Sequence, residues 1–394
     1  MGESLMNDMF FKKATLSKII WAATLTLILS SCKTRCGKTA TMPVEAQEPQ
    51  CCHIINFYVE NSGSMKGYFT GHSQIKDIIK EYYDRIDDTQ NEGDTITLNY
   101  INTKTENSPE GIKGYLMSCQ SKCTATFTKI DDILSMAMEG TNDSTVNIVI
   151  SDYCFTSDNS SFPMAMSGIT GLFSKRLKTD ATLSVAIIKY MSDFNGKYFP
   201  GGIPTKKTMP FYLWIFGNEK QVKRIVNAPI KSANCGMLIL QPFQNIVPTI
   251  VTKKARMVED NSIIVKEWDK DRSRDATTYS TTIELNLSKI ILTKEEICNA
   301  DNYSVTNGYR IVSIEEKENG IYSYYVSTNK PAPGVVTIEY AQHDLPEWVE
   351  KSNYTGTGVP KDSTTLGVKY LIGGVYDAYH NLSNKVFGTK ITLK

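Results

Sequence analysis

Ile54-Ile55-Asn56-Phe57-Tyr58-Val59-Glu60-Asn61-Ser62-Gly63-Ser64-Met65 is the stretch on which the reading of this chain turns. Six mostly apolar residues rich in Ile, Phe, Tyr and Val have the composition of a buried central strand. They run into an acid followed at two-residue spacing by two hydroxyls, so strand chemistry ends in oxygen-ligand chemistry. In an open α/β sheet ligands bind at the carboxyl ends of the strands, which places Glu60, Ser62 and Ser64 where a hard cation can be held. Gly63 permits a tight turn that brings both hydroxyls to one side.

A second apolar run, Val146-Asn147-Ile148-Val149-Ile150, ends in Ser151-Asp152. Before it, Thr128 opens a segment in which Ile130, Ile133, Leu134 and Ala137 fall at helical spacing. Glu60-x-Ser62-x-Ser64, then Thr128, then Asp152 resembles, in kind and order, the metal-ion-dependent adhesion site of von Willebrand factor A (VWA) domains. Thr126 is the second choice for the Thr. Two residues depart from the family's pattern: Glu60 replaces the leading Asp, and Tyr153 stands where Gly is usual after the second acid. The resemblance covers roughly residues 51 to 228 and implies a VWA-like, Rossmann-type fold: α/β, with a doubly wound, mostly parallel sheet.

Outward from that region, strong elements alternate. Ile75, Ile78, Ile79, Tyr82, Tyr83 and Ile86 line one helical face, with Ser73 as a candidate cap. Thr95 to Ile101 alternates as a strand, and Ile112 to Met117 reads as a weaker one. Pro163 to about Leu177 is helical, Thr182 to Ile188 and Phe211 to Phe216 are strands, and a short helix follows Gly217-Asn218. Residues 193–208, with several glycines and prolines and three aromatics, read as a long surface loop used for contact. Beyond residue 229 the texture changes to short strand-like segments separated by polar or Gly/Pro turns, which suggests a mainly β domain over 229–394, a sandwich or related all-β module. The segment Thr365 to Tyr379 is a helical exception, and Lys390 to Leu393 a final strand.

The amino terminus has a different character. Lys12, Lys13 and Lys18 precede an apolar stretch, Ile19 to Ile28, of signal-peptide length. Leu29-Ser30-Ser31-Cys32 resembles a bacterial lipobox, which implies a signal peptide over 1–31, lipidation of Cys32 and a tether over 32–50. The expected location is the cell envelope, lipid-anchored to a membrane. With 43 basic and 42 acidic residues, the chain carries no electrostatic footprint for nucleic acid. The remaining cysteines, Cys36, Cys51, Cys52, Cys119, Cys123, Cys154, Cys235 and Cys298, lie in a compartment that permits disulfides. Cys119 and Cys123 are near enough to bridge, or either pairs with Cys51 or Cys52. Four scattered histidines, at 53, 72, 343 and 380, do not make a zinc pattern.

By the VWA resemblance, Ser62 and Ser64 are direct ligands of Mg²⁺ (or Mn²⁺ or Ca²⁺), Thr128 a direct or water-mediated ligand, and Glu60 and Asp152 the acids. The implied function is non-enzymatic: a membrane-tethered adhesion or assembly module whose cation is completed by a carboxylate from a protein partner, or which binds a glycan. Each residue has a plainer role open to it. The serines can satisfy turn backbone, Thr128 followed by Asp131 can cap its helix, and Asp152 can cap a turn. The alternative function is a structural lipoprotein with a metal-free, degenerate VWA-like domain. A serine hydrolase built from Ser64, Asp152 and His343 or His380 is disfavoured, because Gly63-Ser64-Met65-Lys66-Gly67 lacks the nucleophile-elbow spacing.

Overall fold

The structure, a computed structural model, describes residues 53–393 except 91–92, 155–160, 200, 229, 251–254, 259–261, 266–268, 271–278, 319, 331, 333 and 361–363. The signal peptide, Cys32, the tether and Cys51-Cys52 lie outside the described residues. The chain from Cys51 to Lys394 is a single compact unit.

A seven-stranded sheet organises that unit, built from β1 (Ile54–Glu60), β2 (Thr95–Ile101), β3 (Thr105–Asn107), β4 (Thr145–Ser151), β5 (Leu183–Tyr198), β6 (Ile203–Asn218) and β7 (Gly236–Leu240) in the order β3-β2-β1-β4-β6-β5-β7. β1 pairs in parallel with both β2 and β4, while the other four pairings are antiparallel. The sheet is therefore mixed, not mostly parallel. The cause is local: β5 and β6 are a continuous hairpin of two 16-residue strands, and β6 inserts between β4 and β5.

Six longer helices cover both faces. On one face α1 (Gln74–Asp88), α2 (Ile112–Lys122) and α5 (Glu219–Val226) pack on Ile55, Phe57, Val59, Leu98, Val146, Ile148, Leu213 and Ile215. On the other, α3 (Ile130–Met138), α4 (Phe162–Thr179) and α6 (Val368–His380) pack on Val149, Val185, Ile187, Tyr212, Trp214 and Phe216. Alternation along β6 sends Leu213 and Ile215 one way and Tyr212, Trp214 and Phe216 the other, as the two-residue strand period requires. The segment expected as a weak strand at 112–117 is α2. Ile112, Tyr115, Leu116 and Cys119 repeat at helical spacing, and the last three are buried against the sheet. Asn218 caps α5 by accepting from the Gln221 N–H at 2.9 Å. Ser73 precedes α1 without capping it, because its hydroxyl donates to the Tyr68 carbonyl.

The expected boundary at 228/229 is crossed by this layer. β7 is the edge strand of the sheet, and α6 lies on α4, so residues from beyond 229 complete the α/β part. The rest of the carboxyl-terminal chain forms further β sheets. Of the two larger ones, the first contains Tyr279–Asn286, Arg310–Glu316 and Ile321–Thr328, the second Tyr303–Val305, Gly334–Ala341 and Lys385–Leu393. Both contribute to one core, with Ile283, Leu285 and Tyr324 from the first and Ile338, Tyr340 and Phe387 from the second.

The α4–α6 contact depends on Gly374. A Cβ there would lie 2.7 Å from the Met166 carbonyl oxygen and 2.9 Å from Ile169 Cβ, whereas one at Gly373 would meet the flexible end of Met166 at 3.1 Å. Gly374→Ala is expected to destabilise the protein by about 1–3 kcal/mol through overpacking. Gly373→Ala should lie near neutrality, the gain in helix propensity of about 1 kcal/mol offsetting the shift of Met166. Urea denaturation of the two variants checks the contrast.

Candidate metal centre

Glu60 is the last residue of β1, and the register that opposes Val59 to Ile150 sets it beside Ser151, the last residue of β4. Leaving β1, the chain exchanges backbone hydrogen bonds with residue 125: the Gly63 N–H donates to the Ala125 carbonyl at 2.8 Å, and the Ala125 N–H to the Asn61 carbonyl at 3.1 Å. That pairing carries the 125–128 segment to the site. Asn102, just past β2, fixes it further. Its side chain donates to the Phe127 carbonyl at 2.8 Å and accepts from the Lys129 N–H at 3.2 Å. After Ser64 a 3-10 turn, Met65–Phe69, returns the chain, and Met65 Sδ accepts from the Asp152 N–H at 3.2 Å.

Glu60, Ser62, Ser64, Thr128 and Asp152 are thus brought together, each less than a tenth exposed. Glu60 Oε1 accepts from the Ser62 N–H and the Thr128 hydroxyl, both at 3.1 Å, and Oε2 from the Ser151 hydroxyl at 2.9 Å. The Ser62 and Ser64 hydroxyls are 2.9 Å apart. Asp152 Oδ1 accepts from the Cys154 N–H at 3.1 Å, and Ser64 also bonds the Asp152 carboxylate. Asp152 therefore does hold the turn that follows it, while its other contact faces the serines.

Thr128 does not cap its helix. α3 begins at Ile130 with Lys129 at the cap position and no side-chain cap, so the Thr128 hydroxyl is spent on Glu60. Thr126 is exposed. The extra methylene of Glu60 has a visible consequence, since its carboxylate reaches Thr128 and Ser151 at once. Sequence reasoning passed over Ser151 and Asn102; the Ser-Asp pair that ends β4 was the available signal for the first, and nothing local marks the second.

The two acids are electrostatically strained. Burial, followed by the Asp152 charge, pushes Glu60 up to about 7, against the pull of its three donors. Burial likewise raises Asp152, opposed by the Cys154 N–H and Ser64. No Lys, Arg or His forms an ion pair with either acid among the described residues. Two carboxylates and three hydroxyls, all oxygen and without a counter-charge from the protein, are a donor set suited to a hard divalent cation. Among the described residues no group of three or more His, Cys, Asp and Glu gathers as a metal site, here or elsewhere, so any cation here would depend on the hydroxyls beside the two acids.

Tyr153 occupies the position where the family's turn has Gly, and its φ of 46° is in the left-handed region that favours glycine. That conformation costs about 1–2 kcal/mol in a non-glycine residue. The ring offsets it: fully buried, it stacks on Trp214 with centroids 4.6 Å apart. Cys119, Cys123, Cys154, Cys235 and Cys298 are free thiols, so the Cys119–Cys123 bridge does not form. His343 bonds the Tyr340 hydroxyl at 2.9 Å and His380 stacks on Tyr376, and neither hydrogen-bonds Ser64 or Asp152.

The segment expected as a surface loop at 193–208 is instead the outer half of the β5–β6 hairpin. Past the Ser151–Tyr212 pair the two strands leave the sheet as a ribbon that packs on the site's 3-10 turn. The Phe194 ring occupies the space over Gly67, where a Cβ would come within 2.4 Å of it, and a Cβ on Gly196 would lie 2.6 Å from Gly67 Cα. Phe194 also meets Tyr68 edge-on at 5.0 Å. Phe194 and Tyr198 are buried, Phe194 against the 3-10 turn that follows Ser64.

No protein family, curated protein or solved structure matches the chain. The site's meaning rests on its geometry and chemistry.

The raised Glu60 gives a pH test with a definite sign. In chelator, the folded state binds more protons than the unfolded state between about 4.5 and 7, so stability falls as pH rises through that window and levels off above it. Glu60→Gln is expected to flatten this slope, which chemical denaturation across pH 4 to 8 measures.

Proposed function

We propose that this chain is a membrane-tethered module that binds a protein partner through a divalent cation. The observation that carries the reading is the convergence of two buried acids and three hydroxyls at the carboxyl ends of adjacent parallel strands, with no protein cation among the described residues to balance the charge. Helices on both faces and the parallel β1–β4 pair support a VWA-like fold for the α/β part, and the shared core of the two carboxyl-terminal sheets supports a sandwich. Ser62, Ser64 and Thr128, with Glu60 and Asp152, would hold Mg²⁺, Mn²⁺ or Ca²⁺. The bound ion supplies a positive centre for a carboxylate oxygen of the partner; a glycan oxygen is a weaker ligand of the same kind. The residues of this chain hold the shell in place, since Asn102 and the residue-125 pairing fix the Thr128 arm, and Met65 fixes the Asp152 backbone.

A second reading, a structural lipoprotein with a metal-free site, is favoured by one feature. Each Glu60 oxygen already accepts hydrogen bonds, and protonation near neutral pH removes its charge.

Calorimetric titration of Mg²⁺ and Mn²⁺ into the full chain in detergent separates the two. Saturable binding, lost in the Ser62→Ala/Ser64→Ala variant, supports the cation-dependent module. Absence of binding at pH 8, where Glu60 is ionised, supports the structural reading. Among the described residues no helix is long and apolar enough to cross a membrane. The lipid on Cys32 is the proposed attachment: Cys32→Ala is expected to abolish labelling by a fatty-acid analogue and release the protein from the membrane fraction.

A further inference from the structure

The end of the ribbon meets the turn that holds Asp152: the Cys154 N–H donates to Asp152 Oδ1 at 3.1 Å, the Phe199 carbonyl takes the Cys154 thiol, and the Phe199 ring lies 3.9 Å from where a Cβ on Gly63 would be. Four protic groups there feel the Asp152 charge, the phenols of Tyr68, Tyr198 and Tyr212 and the thiol of Cys154. Three of them have partners. The Tyr68 hydroxyl donates to the Pro210 carbonyl at 2.6 Å, the Tyr212 hydroxyl to Thr365 Oγ1 at 3.2 Å, and the Cys154 thiol to the Phe199 carbonyl at 3.0 Å. Tyr198 does not. It is 5% exposed, and its hydroxyl oxygen, out of reach of solvent, has no hydrogen-bond partner among the described residues. Its polar neighbour is the Cys154 sulfur, whose proton is already committed to Phe199 and which is at best a weak acceptor. Leaving a buried hydroxyl unmet costs about 1–3 kcal/mol.

Nothing about packing alone demands a hydroxyl there. Tyr198 stands at the end of β5, where the ribbon is held down by Phe194 over Gly67 and by the Gly67–Gly196 contact. The hydroxyl is unmet among the described residues, as are the Tyr153 hydroxyl and the Asn61 side-chain oxygen nearby, and it belongs to the residue before Phe199, whose carbonyl takes the thiol of Cys154, two residues after Asp152.

We infer that Tyr198 is a ligand-facing residue of the cation site, its hydroxyl donating a hydrogen bond to an oxygen held on the cation beside Asp152. The inference rests on the cation reading above and deepens it. The oxygen belongs either to a bound water or to the incoming carboxylate, and both accept a phenolic proton. The ribbon is then part of the binding site. Because every ligand residue is nearly buried beneath it, the occupant that fits is a single narrow carboxylate, a side chain or small acid, in preference to a broad surface.

The test uses the full chain in detergent, wild type and Tyr198→Phe, with Tyr354→Phe as a control, because the Tyr354 hydroxyl donates to the Thr357 carbonyl at 2.8 Å. Mn²⁺ affinity is read by electron paramagnetic resonance of the free ion, with and without acetate, and stability by denaturation in chelator. Tyr198→Phe is expected to be at least as stable as wild type without cation. It should bind Mn²⁺ about threefold to tenfold more weakly, the usual range for one lost hydrogen bond. If that loss appears without acetate, the hydroxyl serves a water; if it appears only as loss of the acetate-dependent gain in affinity, it serves the carboxylate. Unchanged Mn²⁺ and acetate affinities in Tyr198→Phe, with wild type binding normally, overturn the inference and leave the cation reading standing. So does a Tyr198→Phe protein less stable than wild type in chelator, which marks a purely structural hydroxyl. Failure of wild type to bind Mn²⁺ overturns both.

Discussion

A carboxylate without a counterion, buried where two parallel strands end, is the constraint around which this molecule is arranged. Glu60 is fully buried and accepts from three donors that come from its own turn, from the segment before α3 and from the end of β4. Each donor is itself anchored: the turn by its pairing with residue 125, Thr128 through Asn102, and Ser151 by the register of β4. Isolated charges are not tolerated in such surroundings, so the group either takes up a proton or shares its charge with a cation. Both resolutions use the same donors.

The β5–β6 hairpin answers a second constraint. A cluster of polar side chains at the ends of strands is ordinarily exposed, yet here each is less than a tenth exposed, and two strands run on past the sheet to pack on the turn beside it. The contact is made possible by Gly67 and Gly196, whose missing side chains let the ribbon and the 3-10 turn approach at backbone distance. Covering the acids raises their proton affinity and strengthens any electrostatic interaction they make. The same ribbon brings Phe199 to Cys154, two residues after Asp152.

Much of this was legible in the linear chain. The run from Ile54 to Ser64 specified its strand and its oxygen donors, and Val146 to Asp152 specified another, because uninterrupted apolar residues followed by short polar ones leave few alternatives. Two misreadings have distinct causes. Residues 112–117 are too short a window to separate a strand from a helix until Cys119 extends the period. Residues 193–208 carry Gly and Pro, which mark loops in general, but strands paired only with each other outside the sheet tolerate both.

The sequence by itself determined the local chemistry: which segments are apolar on which faces, where acids and hydroxyls follow a strand, and that charge is balanced overall. Only the tertiary structure decided what those residues meet. The antiparallel insertion of β6, the recruitment of β7 and α6 from beyond residue 229, and the contact of Phe199 with Cys154 are long-range pairings. Their energies depend on burial and register between segments far apart in the chain, and no local pattern encodes a partner that lies dozens of residues away or, for α4 and α6, 204.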